Sequence, residues 1–244
     1  MFKFVETQDG SPSLRIEESE GQESESMHSL RGAFSETVYI YGTAIETCLR
    51  EEFEPRIFSL GLGLGYVEVL SAALILRDAP EKKHIAGGES FELVPQLRDW
   101  FRAWVHGEEQ KVPQDFARVY DDILARTATQ AGINGKEIRA YLSDLLKEGR
   151  WTLSGPLAKD TKIEGTFGCI CFDAFSSKTS PDLWTEEFLN DFLSRVTAPG
   201  CVLSTYACTG ALKRSLRANG FDLSIREGFA SKRDSTFAVR KFGA

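Results

Sequence analysis

Arg56-Ile-Phe-Ser-Leu-Gly-Leu-Gly-Leu-Gly-Tyr-Val-Glu-Val-Leu-Ser-Ala-Ala-Leu-Ile-Leu76 is the stretch that decides the fold. Arg56 to Leu60 reads as a short apolar strand. Gly61-Leu-Gly-Leu-Gly65 follows without a spacer, and Tyr66 to Leu76 reads as an apolar helix. A strand, a glycine turn and a helix in that order open a doubly wound α/β sheet. The glycines allow a sharp turn and close approach of a ligand, and the helix N-terminus offers free N–H groups. G-x-G-x-G lacks the third-glycine spacing of the dinucleotide fingerprint. The motif therefore points to a nucleotide-containing small molecule, with a plain glycine turn as the alternative.

Working outward, Lys83 to Glu92 reads as a second strand ending in an acid, and Glu92 lies 27 residues beyond Gly65. In doubly wound folds a carboxylate there accepts hydrogen bonds from ribose hydroxyls; Glu89 competes for the role. Gly168-Cys-Ile-Cys-Phe172 reads as a buried strand ending at Asp173. A charge directly after an apolar strand end is a site candidate, because α/β ligands collect there; an Asp that caps the following loop is the alternative.

Trp184 to Val196 is expected as an amphipathic helix, with Phe188, Phe192 and Val196 on one face and Thr185 or Asp182 as its cap. Pro199-Gly200 reads as a turn and Cys201 to Tyr206 as a strand. Gly210 to Ala218 reads as a helix stopped by Asn219-Gly220, and Phe229 to Phe242 as a closing strand. Upstream, Gly32 to Arg50 suits a helix, and residues 113–148 are mostly helical with a break at Gly132-Ile-Asn-Gly135. Residues 1–26 start extended or as a hairpin and run into an acidic stretch, Glu17 to Glu25, expected as a loop. The alternation implies an α/β, Rossmann-like, doubly wound sheet. Residues 1–55 form an N-terminal hairpin and helical extension, and residues 56–244 the Rossmann-like domain with a helical insertion around 95–150.

Composition agrees with a soluble globular chain: 244 residues, 42% hydrophobic and 27% charged. It excludes collagen-like, disulfide-scaffold and wholly disordered classes. The longest apolar run is too short to span a bilayer. Met1-Phe-Lys-Phe-Val-Glu-Thr-Gln-Asp9 has no leader pattern, so a cytoplasmic location is expected. The 5 cysteines form no C-x-x-C pair, and Cys169 and Cys171 are expected on one strand face as core thiols. With 3 histidines, ligands for a metal are scarce, and none is expected. The net charge of −7 argues against simple electrostatic binding of nucleic acid. Its distribution is uneven: residues 1–56 carry 5 basic and 12 acidic side chains, residues 201–244 carry 8 basic and 3 acidic. A basic tail suits an anionic partner, and equally a solvated face.

Asp173-Ala-Phe-Ser-x-Lys-x-x-Pro-Asp-Leu-Trp-Thr185 resembles the signature of the MnmC-type tRNA methyltransferase domain. So do Thr205-Tyr-Ala-x-x-Gly-Ala-Leu-Lys-Arg-x-Leu216, Ala218-x-Gly-Phe221 and Gly228-Phe-Ala-x-Lys-Arg-Asp234. Glu6-Thr-x-Asp-Gly-Ser11 and His28-Ser-x-x-Gly-Ala-Phe-Ser-Glu36 fit as well. Gly61-x-Gly-x-Gly65 then resembles the family's S-adenosylmethionine loop, and Phe91-Glu92 its acidic strand end. The resemblance covers most of the chain in consistent order and is weakest across residues 95–165. It departs from the family at three places. The loop usually reads G-x-G-T-G-x-N, where this chain has Leu64 and Val67. A Gly-Asp pair that reads adenine is here Gly155-Pro156, which leaves adenine to the backbone or to a neighbour such as Asp160. The proline usual after Phe175-Ser176 is Ser177.

The resemblance implies a Rossmann-like S-adenosylmethionine-dependent methyltransferase. Such enzymes methylate the aminomethyl group on C5 of the tRNA wobble uridine, giving 5-methylaminomethyl-uridine, often with a 2-thio group. Many bacteria fuse the domain to a flavin-dependent oxidoreductase that exposes the amine. This chain resembles the free-standing, MnmD-like form, with the precursor made by a separate chain. By family position Asp173 is the catalytic residue, and Gly61, Gly63, Gly65, Glu92 and Asp173 hold the cofactor. Lys178, Lys213, Arg214, Lys232 and Arg233 are expected to meet phosphates of the tRNA anticodon stem-loop, with Phe175 and Tyr206 flanking the extruded base. The alternatives are a methyltransferase acting on another small molecule or a protein, and a non-catalytic RNA-binding member of the family.

Overall fold

The computed structural model describes residues 2–16, 26–174, 179–231 and 234–243. The acidic stretch Glu17 to Glu25 lies outside them. Seven strands form the main sheet. In chain order they are β3 (Arg56–Leu60), β4 (Gly87–Phe91), β5 (Trp151–Ser154), β6 (Phe167–Phe172), β7 (Thr197–Thr205), β8 (Asp222–Arg226) and β9 (Ser235–Arg240). Their spatial order is β5-β4-β3-β6-β7-β9-β8. The first five are mutually parallel, and β9 runs antiparallel to both β7 and β8. This is the Rossmann-like doubly wound sheet with an antiparallel tail. The chain reverses its winding direction between β3 and β6, where such sheets bind ligands.

Register sets the height of everything beyond the strand ends. Leu60 on β3 is level with Phe91 on β4 and with Phe172 on β6. Gly61, Glu92 and Asp173 therefore leave the sheet at one height. The ladder continues into that layer: Gly61 N–H donates to Phe91 O (2.9 Å), and Asp173 N–H donates to Leu60 O (3.1 Å).

Each sheet face carries its own core. On β6, Cys169 and Cys171 pack on one face with Ile45 and Cys48 of α2 (Thr43–Arg50) and Val69 of α3 (Tyr66–Asp78). Ile170 and Phe172 pack on the other with Phe188 and Phe192 of α7 (Glu186–Val196). The expected shared face of the two cysteines follows from the two-residue strand period. Three helices fill the insertion between β4 and β5: α4 (Pro95–Val105), α5 (Gln114–Ala131) and α6 (Gly135–Lys147). The last, α8 (Gly210–Ala218), follows β7.

Several expectations need correction. Pro199-Gly200 is not a turn but part of β7, which starts at Thr197. Edge placement is not what allows it: the β6–β7 register shifts between Phe167 and Cys169, so the ladder is interrupted there and a proline is accommodated. The second strand starts at Gly87 rather than Lys83. The closing strand covers only Ser235–Arg240. Strands β5 and β8 were not expected at all.

The N-terminal residues form a separate antiparallel hairpin, β1 (Phe2–Glu6) and β2 (Pro12–Ile16). Phe2 and Phe4 pack edge-on to Phe116 of α5. Arg126 of α5 donates to the carbonyls of Asp9 (3.2 Å) and Gly10 (2.7 Å). The hairpin turn in turn caps α1 (Ala33–Thr37). Ala33 N–H donates to Thr7 Oγ1 (3.2 Å), Phe34 N–H to Ser11 Oγ (2.9 Å) and Ser35 N–H to Asp9 Oδ2 (3.0 Å). Three successive helix donors that would otherwise lack partners are satisfied by one tight turn.

Asp9 also accepts from the hydroxyls of Thr7 (2.7 Å), Ser11 and Ser35 (2.7 Å). Partial burial pushes its pKa up, but the hydrogen bonds from Ser11, Ser35 and Thr7 outweigh burial and hold the carboxyl well below the usual carboxylate range. A depressed folded pKa stabilises the fold above the unfolded value, and the gain is lost as pH falls through the folded value. Asp9→Ala is expected to cost roughly 1–3 kcal/mol at neutral pH. The cost should shrink in acid, as chemical denaturation across pH will show; a pH-independent difference would refute the assignment.

Candidate active site

A cavity of about 1200 Å³ opens over the parallel strand ends. Its floor is Leu60, Gly61, Gly63, Phe91, Glu92 and Asp173. Its roof comes from the N-terminal region, with Met27, His28, Arg31 and Glu36. Pro156 and Leu157 after β5 form one wall, and Thr185 and Phe188 at the start of α7 another.

The glycine loop bends as its composition requires. Gly61, Gly63 and Gly65 all have positive φ, at 89°, 50° and 77°. Gly61 and Gly63 line the cavity. Gly65 is not among the lining residues: a Cβ there would collide with the Phe101 ring of α4. Its place is to let the Phe101 ring lie against the start of α3, one step behind the other two.

Glu92 is buried and fixes the loop. Its Oε2 accepts from Gly63 N–H (2.9 Å) and its Oε1 from Val94 N–H (2.8 Å). Burial pushes its pKa up, partly offset by those two N–H groups and by the charge of Arg98. Each carboxylate oxygen keeps a second lone pair for a ligand. Glu89, the competing acid, instead accepts from Ser154 Oγ (2.6 Å) and does not line the cavity.

Asp173 stands across the loop from Glu92, half-buried in the floor. Burial pushes its pKa up to about 8. The Tyr41 hydroxyl lowers it, and the charges of Glu36 and Glu68 raise it. Glu68, fully buried on the first turn of α3, is pushed up to about 7 by the same cause. Its Oε1 accepts from Ser90 Oγ (2.7 Å), which itself accepts from Trp151 Nε1 (2.8 Å). Among the described residues the basic side chains lining the cavity are Arg15, His28, Arg31 and Lys159. Lys159 is paired with Glu187 (2.5 Å), Arg31 donates to the carbonyl of Ala230, and Arg15 Nε is buried with no partner among the described residues.

Tyr206 lines the cavity, its hydroxyl donating to Ala174 O (2.6 Å). Lys213 and Arg214 lie on α8 outside the lining, and Arg214 is paired with Glu186 (2.8 Å). Phe175, Lys178, Lys232 and Arg233 fall outside the described residues. Asp160 belongs to a separate shallow depression with Asp191 and Arg195. The roof residues carried no individual role in the sequence. The signal was there, because His28 and Glu36 sit in a motif block, but their contacts with the cavity are non-local. Thr185 proves to be the cap of α7, accepting from Phe188 N–H (3.2 Å). Among the described residues no group of three or more His, Cys, Asp or Glu is arranged to hold a metal ion.

Comparison with known proteins agrees with this geometry. Residues 157–241 match the family model of an S-adenosyl-L-methionine-dependent methyltransferase. The whole chain superposes on MnmC2 from Aquifex aeolicus with a TM-score of 0.62 at 22% identity, covering 71% of that chain. The fold is thus the Rossmann-like fold of S-adenosylmethionine-dependent methyltransferases, and S-adenosylmethionine is the cofactor. Within that class the chain resembles the MnmC-type domain. Over 67 residues it is 37% identical to the tRNA 5-methylaminomethyl-2-thiouridine biosynthesis bifunctional protein MnmC of Hahella chejuensis. It is also 27% identical over 237 residues to an uncharacterized protein of Methanocaldococcus jannaschii. The chain spans 59% of the archaeal relative and the match covers 10% of the bacterial one.

The residues present fit this cofactor. Gly61 and Gly63 present bare backbone to the cavity, Glu92 offers paired acceptors suited to a ribose diol, and Leu93 beside it is 66% exposed as an apolar surface for a base. The carboxyl groups of Glu36, Glu92 and Asp173 along the lining suit a sulfonium. Pro156 takes no part through a side-chain hydrogen bond, so any polar contact to adenine from that wall comes from backbone.

Proposed function

We propose that this chain methylates the aminomethyl nitrogen on C5 of the tRNA wobble uridine, giving 5-methylaminomethyl-uridine with or without a 2-thio group. The observation that carries the reading is Asp173, a carboxyl with raised proton affinity at the end of β6, level with the cofactor loop and Glu92. S-adenosylmethionine, when bound, supplies an activated methyl group. Gly61, Gly63 and Glu92 hold its nucleoside end, with Gly65 as the packing glycine behind them. Asp173 does the rest. An ammonium has no lone pair, so the acceptor must shed a proton. In its ionised form, a carboxyl whose pKa is pushed up to about 8 is a stronger base toward that proton than an ordinary aspartate. It then holds the neutral amine in line by a hydrogen bond.

Tyr206 at the cavity wall and Phe175 flank the extruded base in this reading. Lys178, Lys213, Arg214, Lys232 and Arg233 meet phosphates of the anticodon stem-loop, with Arg214 first leaving Glu186. A separate chain supplies the aminomethyl precursor, and the tRNA substrate implies a cytoplasmic site of action. No helix among the described residues is long and apolar enough to cross a membrane.

The test is direct. Purified protein, S-adenosylmethionine and tRNA bearing 5-aminomethyl-2-thiouridine are incubated, and the digested nucleosides are weighed by mass spectrometry. One added methyl on the wobble nucleoside is the expected result; an unchanged nucleoside with cofactor bound would remove this substrate. Binding of the tRNA should weaken steeply with salt, by a logarithmic slope of about −0.7 to −0.9 per phosphate contact. Lys213→Glu should flatten that slope by about one contact.

A further inference from the structure

Between α1 and α2 the chain is helical throughout, but Val38–Gly42 is a π-helical turn. Such a turn inserts one residue into the ladder and frequently marks a functional site. Its consequences here can be followed one by one. The Ile40 carbonyl accepts from Ser204 Oγ (2.7 Å) and Arg226 Nη2 (2.9 Å). Tyr39 donates its hydroxyl to Glu227 O (2.8 Å), and its ring lies 4.7 Å under the Arg226 guanidinium. Tyr41 is left over. It is 3% exposed, and among the described residues its hydroxyl has no partner in hydrogen-bond geometry. A buried hydroxyl without a partner is costly, so its retention asks for an explanation. After burial itself, the group that acts on it most strongly is the Asp173 carboxyl, by charge and by hydrogen bonding.

We propose that Tyr41 is the positioning residue for Asp173: its hydroxyl donates to the carboxylate when Asp173 is ionised, and the π-helical turn serves to bring it there. A phenol O–H donates more strongly to the ionised carboxylate than to the neutral acid, so it favours the charged form. The other groups facing the pair come from every neighbouring element. Glu36 on α1 and Glu68 on α3 oppose ionisation of Asp173. Tyr206 after β7 and Cys171 on β6 act on Tyr41. Arg226 on β8 is the cation that feels Tyr41, and it is committed to Ile40 and Ser204. Among the described residues, Tyr41 is thus the neutral donor placed to offset two acids. The proposal rests on the catalytic role given above to Asp173 only for its meaning in the reaction.

The test uses the full chain labelled with 13C-carboxyl aspartate, without cofactor or tRNA. The Asp173 resonance is the one that disappears in Asp173→Asn. In Tyr41→Phe its titration midpoint should rise by about one unit or more, the size of a lost hydrogen bond to a charged group. The alkaline-side shift should appear equally in the pH profile of methyl transfer. An unmoved midpoint in a folded, cofactor-binding Tyr41→Phe protein overturns the proposal. Should that variant not fold, 3,5-difluorotyrosine placed at position 41 keeps the shape and strengthens the donor. The midpoint should then fall; an unchanged one again overturns the proposal. A shifted midpoint with no tRNA methylation would sink the proposed function and leave Tyr41 standing. Methylation with an unmoved midpoint would do the reverse.

Discussion

Asp173→Asn is expected to lose methyl transfer by roughly 10²–10⁴-fold, the range supplied by a positioned acid–base group, while becoming the more stable protein. Both effects come from one cause. Burial raises the folded pKa of Asp173 to about 8, against 3.8 for the free side chain. A raised folded pKa stabilises the fold fully below the unfolded value, and that contribution is lost as pH rises through the folded one. At pH 8 the wild type therefore carries an ionised or half-ionised buried acid that asparagine does not. The gain at pH 8 should be a few kcal/mol, with a ceiling of about 5 kcal/mol if the whole shift is expressed, or several degrees and more in melting temperature for a chain of this size. Near pH 4 the gain should vanish. Thermal melts at the two pH values, run beside the transfer assay, decide the matter. A variant that is inactive but equally stable at both pH values would show that Asp173 is not the buried acid described.

Glu92→Ala is expected to weaken S-adenosylmethionine binding by roughly 10–100-fold, the size of one charged hydrogen bond removed from each partner. Two losses combine. The ribose acceptors disappear, and the N–H groups of Gly63 and Val94 lose the oxygens that fix them. S-adenosylhomocysteine should suffer the same loss, since the ribose is common to both molecules. Calorimetric titration with each ligand gives the comparison. An unchanged affinity for both would move the ribose elsewhere in the cavity. Losing only the sulfonium ligand would make Glu92 a charge partner rather than a ribose acceptor.

What the sequence made legible follows from how local the determinants are. Gly61, Glu92 and Asp173 each sit where an apolar strand breaks into a glycine or an acid, and strand register then brings them to one height. The weak strands escaped. Thr152 in β5 is exposed, and Asp222-Leu-Ser-Ile-Arg226 alternates over five residues only, too short to separate from a loop. The docking of the N-terminal hairpin and α1 that carries the roof was hidden for another reason. Ser35 meets Asp9 across 26 residues, and Arg126 meets it across 117. No periodicity encodes such contacts. Tyr41 was hidden still differently. Its neighbours Ile40, Ala44 and Ile45 mark it as core by helical period, and the inserted residue that re-aims it has no sequence signal.

The position of β3 has a consequence for how the molecule is made. This central strand ends at Leu60, whereas its partner β6 starts at Phe167. A nascent chain with β3 already outside the ribosome must wait for the whole helical insertion before the middle of the sheet can close. The N-terminal hairpin waits too, because Arg126 and Phe116 are its supports. Pairings of such long range close slowly and leave strand edges bare in the interval. The insertion helices α4, α5 and α6 pack on one another over short sequence separations, and α5 and α6 cover α3, so this part of the chain can bury α3 before β6 arrives. Shortening that insertion should therefore harm yield at synthesis more than it harms the activity of molecules that have already folded.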